Sequence, residues 1–161
     1  MSDPFRRVVT GHDADGRAII VSDQFLTPTA IPSGDANFAL VWTSAVLPAD
    51  NNDDSDGRSR SAGLTLHGGS VVRVVDMLPG KASPLHRTNS LDYGIVLRGT
   101  VELLLDDGSV TLVGTGDVVV QRGTIHAWRN PDDEVVARVL FVLTEASARV
   151  VEGQPLPEIQ P

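Results

Sequence analysis

Residues 80–99, GKASPLHRTNSLDYGIVLRG, decide the reading of the fold. Gly80 opens the stretch and Gly99 closes it. Between them stand one histidine, one aspartate and one tyrosine. His86, Thr88 and Asp92 are separated by even numbers of residues. In an extended chain all three side chains therefore face one side, and Tyr93 faces the other. That side is a metal site, a metal-free pocket or a packed wall.

Working outward, the chain reads as β almost throughout. RRVVT (6–10) and RAIIVS (17–22) flank the turn-rich GHDADG, and FALVWTS (38–44) is a third strand. After it comes PADNNDDSDGRSRSAG (48–63), polar, charged and free of aromatic residues, which is expected to form a mobile surface loop. The second half runs through SVVRVVDML (70–78), DYGIVL (92–97), TVELLLDD (100–107), SVTLV (109–113), DVVVQ (117–121), HAWRN (126–130) and VVARVLFVLTE (135–145). Asp107-Gly108 is a two-residue hairpin signal. No segment has a helical period, and many short strands at this spacing predict a sandwich or barrel. The Pro-rich tail from 152 to 161 is expected to be extended or disordered.

Composition bounds the function. A chain of 161 residues with 41% hydrophobic content fits one domain with a real core. No apolar run approaches the roughly 18 residues of a membrane span. The N-terminus lacks an apolar signal core, so a cytoplasmic protein with no membrane partner is expected. With no cysteine there is no disulfide, thiolate metal site or cysteine nucleophile. A formal charge of −8, with no basic cluster beyond Arg6-Arg7 or Arg58/Arg60, argues against nucleic acid. There is no nucleophile elbow, P-loop or dinucleotide fingerprint. The acidic stretch Asp53 to Asp56 lacks a full calcium-loop pattern and reads as solvated.

A second stretch, GDVVVQRGTIHAWRN (116–130), completes the pattern. With the first it resembles the two motifs of the cupin superfamily, small β-barrels of jelly-roll type. In the first motif Gly80, His86, Asp92 and Gly99 match the family's spacing without a gap. Asp92 takes the place of the usual glutamate, and Thr88 stands where a second histidine is expected. In the second motif Gly116, Gly123, His126 and Asn130 match in order. Gln121 replaces a proline there, and the first gap is one residue short. The resemblance covers about residues 65–145 well, and implies a single all-β domain with a jelly-roll barrel as its core. The strands between residues 5 and 45 would pack on that barrel or on a dimer partner. The fold by itself does not name a reaction.

The resemblance also implies that both motifs face one cavity, which brings His126 near His86 and Asp92. Trp128 and Asn130 share the face of His126 and would line the same cavity. Gly94, two residues beyond Asp92, implies extra room there for a small organic ligand. His86, Asp92 and His126 form a two-histidine, one-carboxylate set suited to one divalent transition metal, Fe, Mn, Ni or Zn. Thr88 is a poor ligand for these ions and Asp92 is short. Without a metal, the same His86, Asp92 and His126 are catalytic acid–base groups, with Thr88, Gly94, Trp128 and Asn130 binding the substrate. Both readings stand open.

The remaining candidates are weaker. His67 and His12 lie in loops, where histidines are mostly surface groups. Tyr93 packs outward, and Arg122 is a solvated loop residue or a contact at the cavity mouth. The expected function is binding of a small organic molecule, with two forms. One is an enzyme, a metal-dependent oxygenase or isomerase or a metal-free decarboxylase or dehydratase, acting on a small carbonyl, phenolic or carboxylate compound. The other is a non-catalytic binding module. The resemblance further implies a homodimer.

Overall fold

A computed structural model describes residues 2–161. Its strands are β1 (Phe5–His12), β2 (Ala18–Leu26), β3 (Thr29–Ala30), β4 (Ala36–Ser44), β5 (Ser70–Met77), β6 (Ser90–Arg98) and β7 (Thr100–Leu105). They continue with β8 (Val110–Gly114), β9 (Val118–Arg122), β10 (His126–Arg129), β11 (Ala137–Glu145), β12 (Val150–Val151) and β13 (Gln154–Pro155). Gly57–Ser59 adds one turn of 3₁₀ helix. Among the described residues no helix is long and apolar enough to cross a membrane.

Two antiparallel sheets face each other. The larger has the order β3-β4-β5-β11-β6-β9 and the smaller β10-β7-β8. Inward positions alternate with outward ones, so each sheet has one apolar face. Val75, Met77, Val96 and Val139 of the larger sheet meet Val101, Val113 and Trp128 of the smaller in one cluster. Each such valine contributes on the order of 1.5 kcal/mol by leaving water. The hairpin between β7 and β8 turns at Asp107-Gly108, where Gly108 has φ +86° and the Asp107 side chain accepts from Ser109 N.

One edge of the barrel closes through irregular chain. Segment 82–86 runs antiparallel to β10, with bridges between Ala82 and Arg129 and between His86 and His126. This pairing is what sets the two motifs against each other.

Two expectations change, and the tail keeps the extended form expected of it. The strand at 36–44 is not peripheral: β4 pairs with β5 over its whole length and belongs to the barrel sheet. The stretch 48–63 is anchored, not free. Arg7, buried and stacked 5.3 Å from the Trp42 ring centroid, pairs with Asp56 at 2.5 Å. Thr43 donates to Gly57 O at 2.5 Å. The tail also has partners: Arg87 and Ile159 exchange backbone hydrogen bonds, and Asn89 N donates to Glu158.

The hairpin β1–β2 forms its own two-stranded sheet. A buried ion pair helps to hold the N-terminal segment. Arg138 donates to both oxygens of Asp76, at 2.6 and 2.8 Å, and to Asp3 O at 2.6 Å.

Candidate functional site

A cavity of about 230 Å³ lies at one end of the barrel. Val75, Met77, Phe141 and Leu143 give it an apolar wall, and His86, Thr88, Asp92, His126, Trp128 and Arg73 supply its polar and aromatic groups. Of the seven residues expected at a site, His86, Thr88, Asp92, His126 and Trp128 are therefore brought together.

The two histidines are held by their own backbones. His86 N donates to His126 O at 2.9 Å and His126 N returns the bond at 3.0 Å. Their rings lie 4.2 Å apart, centroid to centroid. His86 Nδ1 lies 2.9 Å from Pro84 O, and His126 Nδ1 lies 3.0 Å from Thr124 O. A carbonyl only accepts, so each Nδ1 carries a proton toward it. Burial pulls the His126 pKa down to about 4, with the neighbouring His86 acting in the same direction. His126 is thus a neutral imidazole near pH 7.

Asp92 moves the other way. It is 5% exposed, and burial raises its pKa to about 6, against the opposing effects of Ser90 and the Arg73 charge. Its Oδ1 is buried without a partner. Its Oδ2 lies 3.4 Å from Gln121 Nε2, and the same amide nitrogen sits 2.7 and 2.9 Å from the two ring nitrogens of His126. Gln121 bridges the carboxylate and the imidazole. Thr88, at the place of the second histidine, has its hydroxyl 2.8 Å from that of Ser90.

Trp128 is buried and forms one aromatic wall. Its ring meets Phe141 edge-on at 5.4 Å and His126 at 6.4 Å.

Two expected binding residues sit elsewhere. Gly94 does not leave room for a ligand. A Cβ there would lie 3.0 Å from Phe141 Cε1 and 3.6 Å from Trp128 Cη2, so the space is taken by those rings. Asn130 is fully buried, but its amide donates to Met77 O at 3.0 Å and Val135 O at 2.8 Å, and its Oδ1 accepts from Asp132 N at 3.1 Å. It fastens the turn after β10, with both amide hydrogens spent on backbone carbonyls. Of the weaker candidates, His67 is exposed and paired with Glu145 at 2.5 Å, and Tyr93 points outward.

Two residues of the site went unpredicted. Gln121 registered only as a replaced proline, although a proline has no side-chain donor and a glutamine has two. Arg73 lies inside an apolar strand without a motif. Its even spacing from Val75 and Met77 was the available signal of an inward side chain.

A histidine binds a metal through a ring nitrogen with an available lone pair, and the Gln121 amide nitrogen lies 2.9 Å from Nε2 of His126. A third donor does not join the two imidazoles. Among the described residues no group of three or more histidine, cysteine, aspartate or glutamate side chains is placed to hold a metal ion. The Thr88 hydroxyl is engaged with Ser90, and the Gln121 amide stands between His126 and Asp92. As arranged, these residues do not fit a metal centre.

Known proteins place the chain in a family. Residues 73–143 match the model of the Cupin domain. A protein of the phomopsin biosynthesis cluster of Diaporthe leptostromiformis is 39% identical over 157 residues, covering 93% of this chain and 83% of that protein. A cupin-domain-containing oxidoreductase of Aspergillus ruber is 35% identical over 159 residues, covering 93% and 77%. Among solved structures, KdgF from Halomonas superposes with a TM-score of 0.52 at 13% identity, over 74% of this chain and 86% of that one. A cupin domain from Schizosaccharomyces pombe superposes with a TM-score of 0.50 at 12% identity, over 90% and 89%. With the two motifs in register on facing strands of a two-sheet barrel, and relatives of this identity along nearly the whole chain, the protein belongs to the cupin family.

Proposed function

We propose that the cavity is the active site of a metal-independent acid–base enzyme acting on a small carbonyl, phenolic or carboxylate compound. The observation that carries this is the meeting of His86, His126 and Asp92 on one apolar cavity, with Gln121 joining the carboxylate to the imidazole. Asp92, with a pKa near 6, is ionised above that pH and basic enough to remove an acidic proton from carbon or oxygen. The proton moves to the Asp92 carboxylate and the electron pair stays on the substrate. Return of the proton at another atom isomerises the substrate. In a dehydration hydroxide leaves with that electron pair; in a decarboxylation carbon dioxide leaves its bonding pair on the substrate carbon, and the Asp92 carboxyl supplies the proton that carbon takes up. His126, neutral near pH 7 and in contact with the Gln121 amide, accepts a hydrogen bond or a second proton. Trp128 and Phe141 hold the apolar body of the substrate and keep water away.

The relatives belong to biosynthesis clusters or are called oxidoreductases. The oxidoreductase name supports a second reading, in which His86, Asp92 and His126 hold one divalent transition metal, Fe, Mn, Ni or Zn. The closeness of the two imidazoles, 4.2 Å between centroids, favours it; the Gln121 amide on His126 and the missing third donor oppose it. A homodimer is also proposed, supported by the exposed apolar side chains of β1–β2.

The test is a turnover screen of small carbonyl, phenolic and carboxylate compounds in deuterated water, read by NMR. On an active compound His126→Ala should lower the rate by about 10²–10⁴-fold. An unchanged rate in that variant contradicts the acid–base reading of this cavity, and no turnover of any compound leaves the cavity a binding site.

A further inference from the structure

Arg73 has no role in the step above, yet it is the most unusual charge in the molecule. It projects from β5 into the apolar cavity and is 8% exposed. A buried guanidinium is costly unless its donors are used. Part of it is used. Nη2 donates to the carbonyls of Gly63 and Leu64, the latter at 2.9 Å. The guanidinium carbon stacks 5.4 Å from the Phe38 ring centroid. These contacts fix the plane of the group and leave Nε, fully buried, without a partner among the described residues. No carboxylate is within ion-pairing distance of Arg73 among the described residues, in contrast to Arg138, which is bidentate to Asp76. On the same cavity, Asp92 Oδ1 is the matching orphan, a buried acceptor with no donor.

We infer that the cavity takes a small organic acid, with the ligand's carboxylate on Arg73 Nε and a ligand hydroxyl or N–H on Asp92 Oδ1. One orphan donor and one orphan acceptor, beside the apolar wall of Val75, Met77, Phe141 and Leu143, define a ligand with an anionic end, a hydrogen-bond donor and an apolar body. A neutral carbonyl compound would leave Arg73 with only the more distant Asp92 charge and nothing to accept from its Nε. This narrows the substrate class of the proposed active site, and it rests on the reading that this cavity is that site.

The test compares acids with their neutral isosteres. Benzoate and 2-, 3- and 4-hydroxybenzoate are each titrated beside the corresponding benzamide, by calorimetry at pH 7.5. Moving the hydroxyl samples the separation between the two polar groups. At least one hydroxybenzoate should bind about tenfold or more tighter than its amide, and tighter than benzoate. Arg73→Gln should bring acid and amide to within a few-fold of each other. Arg73→Lys, which keeps a charge but loses Nε, should retain only part of the preference. If no acid outbinds its amide on the unaltered protein, the inference is overturned, whatever the variants do. The same holds if Arg73→Gln keeps the full preference. The two readings separate cleanly. Acid selectivity with normal turnover in His126→Ala removes the acid–base step and keeps the ligand class. Loss of turnover in His126→Ala without acid selectivity does the reverse.

Discussion

Asp92 and His126 share one cavity and respond to burial with opposite shifts, since burial disfavours the charged form of each. The folded Asp92 pKa, near 6, lies above the ordinary carboxylate value of 3.8. Between those values the folded chain holds the proton more tightly than the unfolded one, so this residue makes stability fall as pH rises. The folded His126 pKa, near 4, lies below the ordinary 6.5. Between those values the unfolded chain holds more protons, so this residue makes stability rise with pH. The two effects oppose each other over nearly the same window. In Asp92→Asn, denaturant unfolding should therefore show stability climbing from pH 4 to 6.5 by on the order of 2 kcal/mol more than in the unaltered protein. In His126→Gln it should fall over about the same range. Parallel pH profiles for all three proteins would mean that neither group titrates abnormally in the fold. At this scale the motif positions of His86, Asp92, His126 and Trp128 were readable, because a strand's two-residue period fixes which side chains share a face. Gly94 was misread because the neighbour that fills its space, Phe141, lies on another strand 47 positions along the chain. Arg73 and Gln121 stood outside any motif that marks ligands.

The longer strands were visible in the sequence, since apolar runs ended at Gly, Asp and Asn turns, and their bounds fall within a few residues of the observed ones, while the two-residue strands β3, β12 and β13 were not. What joined them was less visible. The pairing of β4 with β5 spans the whole stretch 48–63, and the contact that anchors that stretch comes from Arg7, far away in the chain. Long-range contacts of this kind leave no local period. Asn130 belongs to this scale. It ties the end of β10 to the last carbonyl of β5 and to the entry of β11. Replacing it with alanine removes the donor to the buried Met77 carbonyl and to the part-buried Val135 carbonyl, and the acceptor for the Asp132 amide. The expected loss is roughly 2–4 kcal/mol in chemical denaturation, larger than for a surface asparagine. A loss below about 0.5 kcal/mol would show that the turn holds without it.

For the molecule as a whole, the barrel and its family were readable from two spaced motifs, while the outer surface was not. Val8, Ile20, Val21 and Phe25 on β1–β2 are exposed, and so are Leu112, Val118 and Val120 on β8 and β9. Outward apolar groups in such number on short strands suit burial against a second copy. Light scattering after gel filtration should give about twice the chain mass of 17.1 kDa. A monomer at micromolar concentration would reject the dimer.

The central claim is that acid–base chemistry in this cavity runs on protein side chains. The most direct measurement is turnover of a screened substrate by protein stripped with a strong chelator, with metal content read by mass spectrometry on the same sample. The account predicts an undiminished rate with no bound transition metal, and loss of that rate in His126→Ala. A rate that vanishes on stripping and returns with one equivalent of Fe, Mn, Ni or Zn would contradict it, and would make His86, Asp92 and His126 a metal site.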